Sequence, residues 1–318
     1  VINRGRQYGK TTMLRALAEA IRPAYAVISM DFQGIGAEDF ASEERFVRAF
    51  AGMFVESVRT DCPDELGEFI EPLSRLAEGE ADARLMKLFE KLSGVCRESR
   101  KPVVLMIDEV DSAANNQVFL DFLSLLRRYY LNRDKLPAFH SVILAGVYDI
   151  KNLKLKLRPE TEHRYNSPWN IAARFTVDMN FSAEEIADML REYETDHKTG
   201  MNAAGAAALI YDYTSGHPYL VSAICKRLDE EISGSGDFAD AAEVWTVRGI
   251  VEAVRCILDE RISLFDSMMR HLEEYPEMKD MLRLILFQGR RISYNPDHPS
   301  VNLAVMFGYV IKRDGCVQ

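Results

Sequence analysis

No run in this chain approaches the roughly 18 consecutive apolar residues of a membrane-spanning helix. Cysteine is sparse and scattered. Cys62, Cys96, Cys225, Cys256 and Cys316 are odd in number and include no Cys-x-x-Cys pair, which excludes a disulfide framework and a zinc knuckle and points to reduced thiols in a cytoplasmic protein. The histidines lack metal-ligand spacing, and no internal repeat of fixed period is present. Positive charge is also in deficit. A formal net charge of −10 weighs against a broad nucleic-acid surface, though not against a small basic patch. The chain opens on a strand-like segment at Val1 rather than on a signal peptide and closes at Gln318, so it is expected to be a fragment cut at both ends. What remains is an ordinary globular composition, 47% hydrophobic and 28% charged, over 318 residues, enough for two or three domains.

Within that composition one octapeptide stands out: Arg4-Gly5-Arg6-Gln7-Tyr8-Gly9-Lys10-Thr11. It has the Gly-Lys-Thr ending of a Walker A phosphate loop, but Arg4 fills the first Gly position of G-x-x-x-x-G-K-[ST]. Gly9 lets the backbone curl around an anion. The loop amides, from Gly5, Arg6, Gln7 and Tyr8 through Thr12, would face phosphates at a helix N-terminus. Lys10 would reach the terminal phosphates, and Thr11 would offer a hydroxyl to magnesium. Leu14, Leu17, Ala18 and Ile21 follow at helical spacing, with Pro23 as the stop. The alternative is an ordinary strand-to-helix turn.

A second segment narrows the choice. Val103-Val104-Leu105-Met106-Ile107-Asp108-Glu109 follows Lys101-Pro102 and reads as a buried parallel strand ending in two acids, the Walker B pattern. Carboxylates at the C-terminal edge of such a sheet sit where ligands bind. Asp108 would hold magnesium through its water shell and Glu109 would polarise the attacking water. A solvated acid pair at a strand exit is the alternative. Asp111 extends the acidic edge, but reads as a cap for the next helix rather than as a ligand.

Strand and helix patterns alternate to about residue 178. Strands are expected at Ile2–Asn3, Ala24–Phe32, Val103–Glu109, Ser141–Gly146 and Ala173–Asp178, which makes the fold α/β with a parallel sheet covered by helices on both faces. From Ser182-Ala183-Glu184-Glu185, a capping box, the chain turns helical at about 203–213, 218–232, 242–260, 263–275 and 277–288. The tail reads as a short strand at Ile292–Tyr294, a helix at Pro296–Phe307 and a hairpin of Tyr309–Ile311 with Cys316–Gln318 around Asp314-Gly315, together a winged-helix-like unit. The expected division is an α/β part over 1–180, a helical part over 181–260 and a winged-helix-like domain over 261–318.

Other segments stay open between two readings. Tyr148 and Asp149 follow a strand end, where a γ-phosphate sensor or a simple turn fits. Trp169, within Ser167-Pro168-Trp169-Asn170-Ile171, suits a ligand contact or a hydrophobic lid. Gly216-His217-Pro218 suits helix punctuation, with Pro at the first turn, or a loop packed on nucleotide. Arg290, Arg291, Lys312 and Arg313 against Asp297 and Asp314 suit DNA binding, or else internal packing or partner docking.

Taken together, Asn-Arg-Gly-Arg-Gln-Tyr-Gly-Lys-Thr-Thr, Val-Leu-Met-Ile-Asp-Glu-Val-Asp, Leu-Ala-Gly-Val-Tyr-Asp, Ser-Pro-Trp-Asn-Ile-Ala and Ser-Gly-His-Pro-Tyr-Leu-Val resemble the bacterial AAA-like ATPases of the AAA+ and STAND group of P-loop NTPases. Phosphate loops of that group commonly read Arg-x-Arg-x-x-Gly-Lys-Thr or -Ser, so the resemblance makes Arg4 an expected departure. It implies an ATPase core over 1–180 and a helical lid over 181–260, a nucleotide-driven switch that hydrolyses ATP with Mg2+, ATP and Mg2+ as cofactors and ADP as the alternate ligand, His217 and Pro218 of the lid approaching the nucleotide, and a protein partner or self-association. Arg164 and Arg174 lie where an arginine finger could be sought. A non-hydrolysing scaffold and a DNA-binding regulator are the rival functions.

Overall fold

Val103–Asp108 forms the strand that its composition predicts, and all six residues are buried, as a strand covered on both faces requires. In the computed structural model, residues 1–113, 116–147, 173, 175–233, 236–238, 240–260 and 262–317 are described. Contacts divide the chain into two units: Val1–Arg4 with Lys10–Phe175, and Gly5–Gly9 with Thr176–Gln318.

The first unit is built on a parallel sheet of β1 (Ile2–Asn3), β2 (Ala26–Asp31), β3 (Val103–Asp108) and β4 (Ser141–Gly146) in the order β1-β4-β3-β2. Asp31 stands beside Asp108, and Asn3 beside Gly146. Strand side chains alternate between faces. Ala26, Ile28, Met30, Val103, Leu105 and Ile107 therefore share one face, and all join a large aromatic core. Val27, Val104, Met106 and Asp108 point to the other. Helix α1 (Lys10–Ile21) touches β2, β3 and β4, and its buried Leu14 and Ala18 lie outside the aromatic core, which places α1 on that second face.

The aromatic core comes from helical spacing. On α2 (Glu43–Asp61) Phe46, Phe50 and Phe54 recur every fourth residue, with Val47, Ala51, Val55 and Val58 widening the stripe. Ser42 caps that helix by accepting from the Arg45 amide at 3.2 Å, with Glu43 and Glu44 in the first turn. Phe122 receives Phe50 at 4.8 Å, Phe89 at 5.4 Å and Phe46 at 5.5 Å between ring centroids. Phe50 is wholly buried. Phe50→Ala should cost about 3–5 kcal/mol of stability, read by urea unfolding; a loss below about 1 kcal/mol would contradict this packing.

In the second unit the capping box forms as read: the Ser182 hydroxyl accepts from the Glu185 amide at 3.1 Å, and the Glu185 carboxylate accepts from the Ser182 amide at 2.7 Å. Helices Ala183–His197, Ala203–Thr214, Pro218–Arg227 and Val247–Asp259 close on a core that includes Ile186, Leu190, Ile210, Val221, Ile224, Trp245 and Ile250. The expected helix over 218–232 ends in a π-helical turn at Leu228–Ile232. The expected helix over 242–260 breaks at Trp245 and Thr246, where the Thr246 hydroxyl turns back to the Glu243 carbonyl at 2.7 Å.

The tail follows with helices Ser263–Glu274, Pro276–Gln288 and Pro299–Met306 and a three-stranded antiparallel sheet of β5 (Ile292–Ser293), β6 (Lys312–Arg313) and β7 (Cys316–Val317), in the order β5-β7-β6. Two expectations shift here. The hairpin arm is Lys312–Arg313 rather than Tyr309–Ile311. Asp314 and Gly315 both take positive φ (49° and 75°), a two-residue turn that sets Arg313 directly opposite Cys316. The helix starts at Pro299, which takes the first-turn position open to proline, rather than at Pro296. In addition, Ala173 and Phe175–Asp178 form no strand, and Val177 is 54% exposed, so its alternation gains no covered face.

Candidate phosphate-binding site

The first unit joins the two ends of the Walker pattern. Thr11, in the first turn of α1, donates its hydroxyl to Asp108 Oδ2 at 2.5 Å. Asp108 Oδ1 accepts from the Glu109 amide at 2.9 Å, and the residue is only 8% exposed. Both follow from the alternation of β3, which turns Asp108 to the face where α1 lies. Lys10 is the first residue of α1, is 6% exposed, and donates from Nζ to the Arg4 carbonyl at 3.1 Å. Thr12 follows it, exposed, on the same turn.

Arg4 needs none of the freedom of the glycine it replaces. Its amide donates to the Gly146 carbonyl at 3.2 Å, prolonging the β1–β4 pairing. Its guanidinium lies 5.5 Å from the Phe175 ring centroid and donates to the Asn3 carbonyl at 3.0 Å. The left-handed backbone falls at Gln7 (φ 62°) and Gly9 (φ 74°). Glu109 is left-handed too (φ 52°), a conformation that is uncommon outside glycine and clusters at functional sites.

The remaining residues lie in the second unit. Gly5 and Tyr8 are buried there, while Arg6, Gln7 and Gly9 are exposed. The Tyr8 ring meets His217 edge to face, with centroids 4.4 Å apart. His217 caps the helix Pro218–Arg227, with Pro218 at its first position, so punctuation is part of what this loop does. Ser215 (φ 47°) and Gly216 (φ 75°) turn the chain out of the preceding helix. The Gly216 carbonyl accepts from the Phe181 amide at 2.8 Å, and a Cβ on Gly216 would stand 1.8 Å from the Phe181 carbonyl oxygen.

His217 Nδ1 is buried and meets no hydrogen-bond partner among the described residues. Burial pushes the imidazole down from 6.5 to about 4. The unfolded chain therefore takes up the proton first, and the stability this neutral ring contributes near pH 7 should fade as pH drops from 6.5 through about 4. His217→Phe should flatten that part of the pH profile, measured by urea unfolding at successive pH values; an unchanged slope would clear His217 of the role.

A model of the AAA-like domain matches residues 1–241. The chain belongs to the AAA-like domain family. Among solved structures, the fold is similar to that of the Walker-type ATPase PABY2304 of Pyrococcus abyssi, with a TM-score of 0.58 and 15% identity over 100% of this chain and 87% of that one. The ORC2 protein of Aeropyrum pernix in its ADP form scores 0.48 at 14% identity, covering 100% of this chain and 80% of that one. No curated protein matches the sequence. No helix among the described residues is long and apolar enough to cross a membrane.

Within this AAA-like chain the sequence misplaced one acid. Asp111 does not cap the following helix, whose N-cap is Asn116; its carboxylate accepts from the Val147 amide at 2.5 Å and ties the end of β4 to the turn after β3. The contacts of Tyr8 also escaped sequence reading, although a tyrosine beside the Gly-Lys-Thr ending was a visible signal. Tyr148, Asp149, Arg164, Ser167–Ile171 with Trp169, and Arg174 lie outside the described residues.

Proposed function

We propose that this chain binds ATP with magnesium and hydrolyses it as a nucleotide-driven switch in the cytoplasm. The observation that carries this reading is the Thr11–Asp108 hydrogen bond beside a buried Lys10. A hydroxyl and a carboxylate are hard oxygen donors of the kind magnesium takes, so the residues present fit the ion. Lys10 and the loop amides from Gly5 to Thr12 would bind the phosphates, and Thr11 and Asp108 would hold the ion. Bound magnesium supplies neutralisation of charge on the phosphate oxygens. Glu109 orients and polarises the attacking water, so positioning and electrostatics carry the reaction. His217 and Pro218 approach the nucleotide from the helical lid, as in the STAND group.

The three-way division at about residues 180 and 260 belongs to this reading, with 261–318 as the winged-helix-like part. So does action through a protein partner or a second copy of the chain. The test is to release and identify nucleotide from purified protein, then to measure phosphate release with magnesium and with EDTA. Bound ATP or ADP and magnesium-dependent release are expected. Retained ADP without release would favour the non-hydrolysing scaffold, and no nucleotide affinity at all would sink the proposal.

A further inference from the structure

The short segment Gly5–Gly9 is anchored on residues far away in sequence. The Gly5 Cα faces the turn after the helix Pro299–Met306: a Cβ there would lie 3.3 Å from the Phe307 carbonyl oxygen and 3.4 Å from that of Met306. Gln7 Nε2 donates to Ser263 Oγ at 3.2 Å. Tyr8, 6% exposed, rests against Gly308: a Cβ on Gly308 would fall 2.4 Å from Tyr8 Oη and 3.1 Å from Cε2. Gly308 itself takes a φ of 80°, so a side chain is unwelcome there on two counts. The turn is firmly seated, since Phe307 stacks on His271 with centroids 3.8 Å apart and lies 5.7 Å from Tyr275. Ser263 and Met306–Gly308 all fall beyond the residues matched by the AAA-like family model, 1–241.

From this we propose that the Met306–Gly308 turn is a positioning element for the phosphate loop, acting through Tyr8. The inference rests on the nucleotide reading above. Backbone amides bind phosphate well only when their geometry is set in advance, because ordering them at the moment of binding costs affinity. A tyrosine ring held between His217 and Gly308 sets the loop from its buried side. Linkage makes the effect reciprocal: nucleotide on the loop steadies the turn by as much as the turn steadies nucleotide.

Three substitutions separate this coupling from simple backbone strain. Gly308→Ala adds a methyl against Tyr8 at a left-handed position. Gly315→Ala adds one at a φ of 75° with no atom within 4 Å, and so carries the backbone penalty alone. Tyr8→Phe removes the one atom that a Gly308 methyl would strike hardest. Fluorescent ATP and ADP titrations, with thermal melts of each variant, should show about a tenfold loss of affinity for Gly308→Ala and less than about a twofold change for Gly315→Ala. The double variant Tyr8→Phe/Gly308→Ala should recover most of the loss relative to Tyr8→Phe alone, the mark of direct coupling. Unchanged affinity in Gly308→Ala, or a loss that Tyr8→Phe does not relieve, would overturn the inference. If Gly308→Ala does not fold, hydrogen exchange of the unaltered protein decides. Exchange at 305–309 should slow on ATP addition, and unchanged exchange there overturns the inference. Failure of the unaltered protein to bind any nucleotide would instead overturn the functional reading beneath it.

Discussion

Lys10→Ala should leave a folded protein that no longer holds ATP, with affinity lowered by at least about 100-fold. The ammonium is the first side chain of α1 and is nearly buried, so it acts on phosphate in a setting where water screens little. The helix N-terminus and its amides remain in the variant, but they supply only partial charges. The aromatic core that holds the first unit does not include Lys10, so circular dichroism and melting should stay close to those of the unaltered protein. Isothermal titration with ATP and magnesium measures the loss. Normal affinity would remove the phosphate-loop assignment. Lys10→Arg should not restore binding, because a planar, wider guanidinium replaces a compact charge in a buried slot.

Glu109→Gln should separate binding from turnover. The amide is nearly isosteric with the carboxylate and keeps the residue's backbone place, where the Glu109 N–H donates to Asp108. It cannot draw a proton from water. ATP affinity should stay within about twofold, while phosphate release falls by roughly 100- to 1,000-fold, in the range set by loss of a positioned base. Single-turnover phosphate release distinguishes this from slow product escape. Undiminished turnover would take Glu109 out of the reaction.

Local patterns carried the reading of sequence a long way. The strand that its apolar run indicated starts at Val103 as expected and ends at Asp108, one residue before the second acid, and the capping box at Ser182 opens its helix where expected. These features were legible because each depends on residues within a few positions of one another: a contiguous apolar run in one case, Ser182 and Glu185 in the other. The role of Asp111 was not, because the amide it serves belongs to Val147, just past the end of β4 and far away in sequence. Nor was the first arm of the tail hairpin, since Asp314-Gly315 identified the turn while turn geometry, rather than apolar content, chose Lys312–Arg313 over Tyr309–Ile311. Arg4 is the instructive case. As a motif it looked like a defect, and the resemblance to AAA-like loops made it a custom. Its backbone gives the physical reason: it continues a strand, and glycine's freedom is required later, at Gly9.

The loop at Gly216 bears on how related sequences should be read. With a carbonyl oxygen sitting where any Cβ at residue 216 would go, the path past Phe181 admits a single residue type. Swapping His217 or Pro218 changes chemistry at the tip of the loop and can be accommodated; changing residue 216 forces the two segments apart. An aligned relative that carries alanine or serine in that column has therefore moved its backbone, and inferences about its loop should not be borrowed from this chain. The column works as a checksum: glycine licenses transfer of the local geometry, and any other letter revokes it.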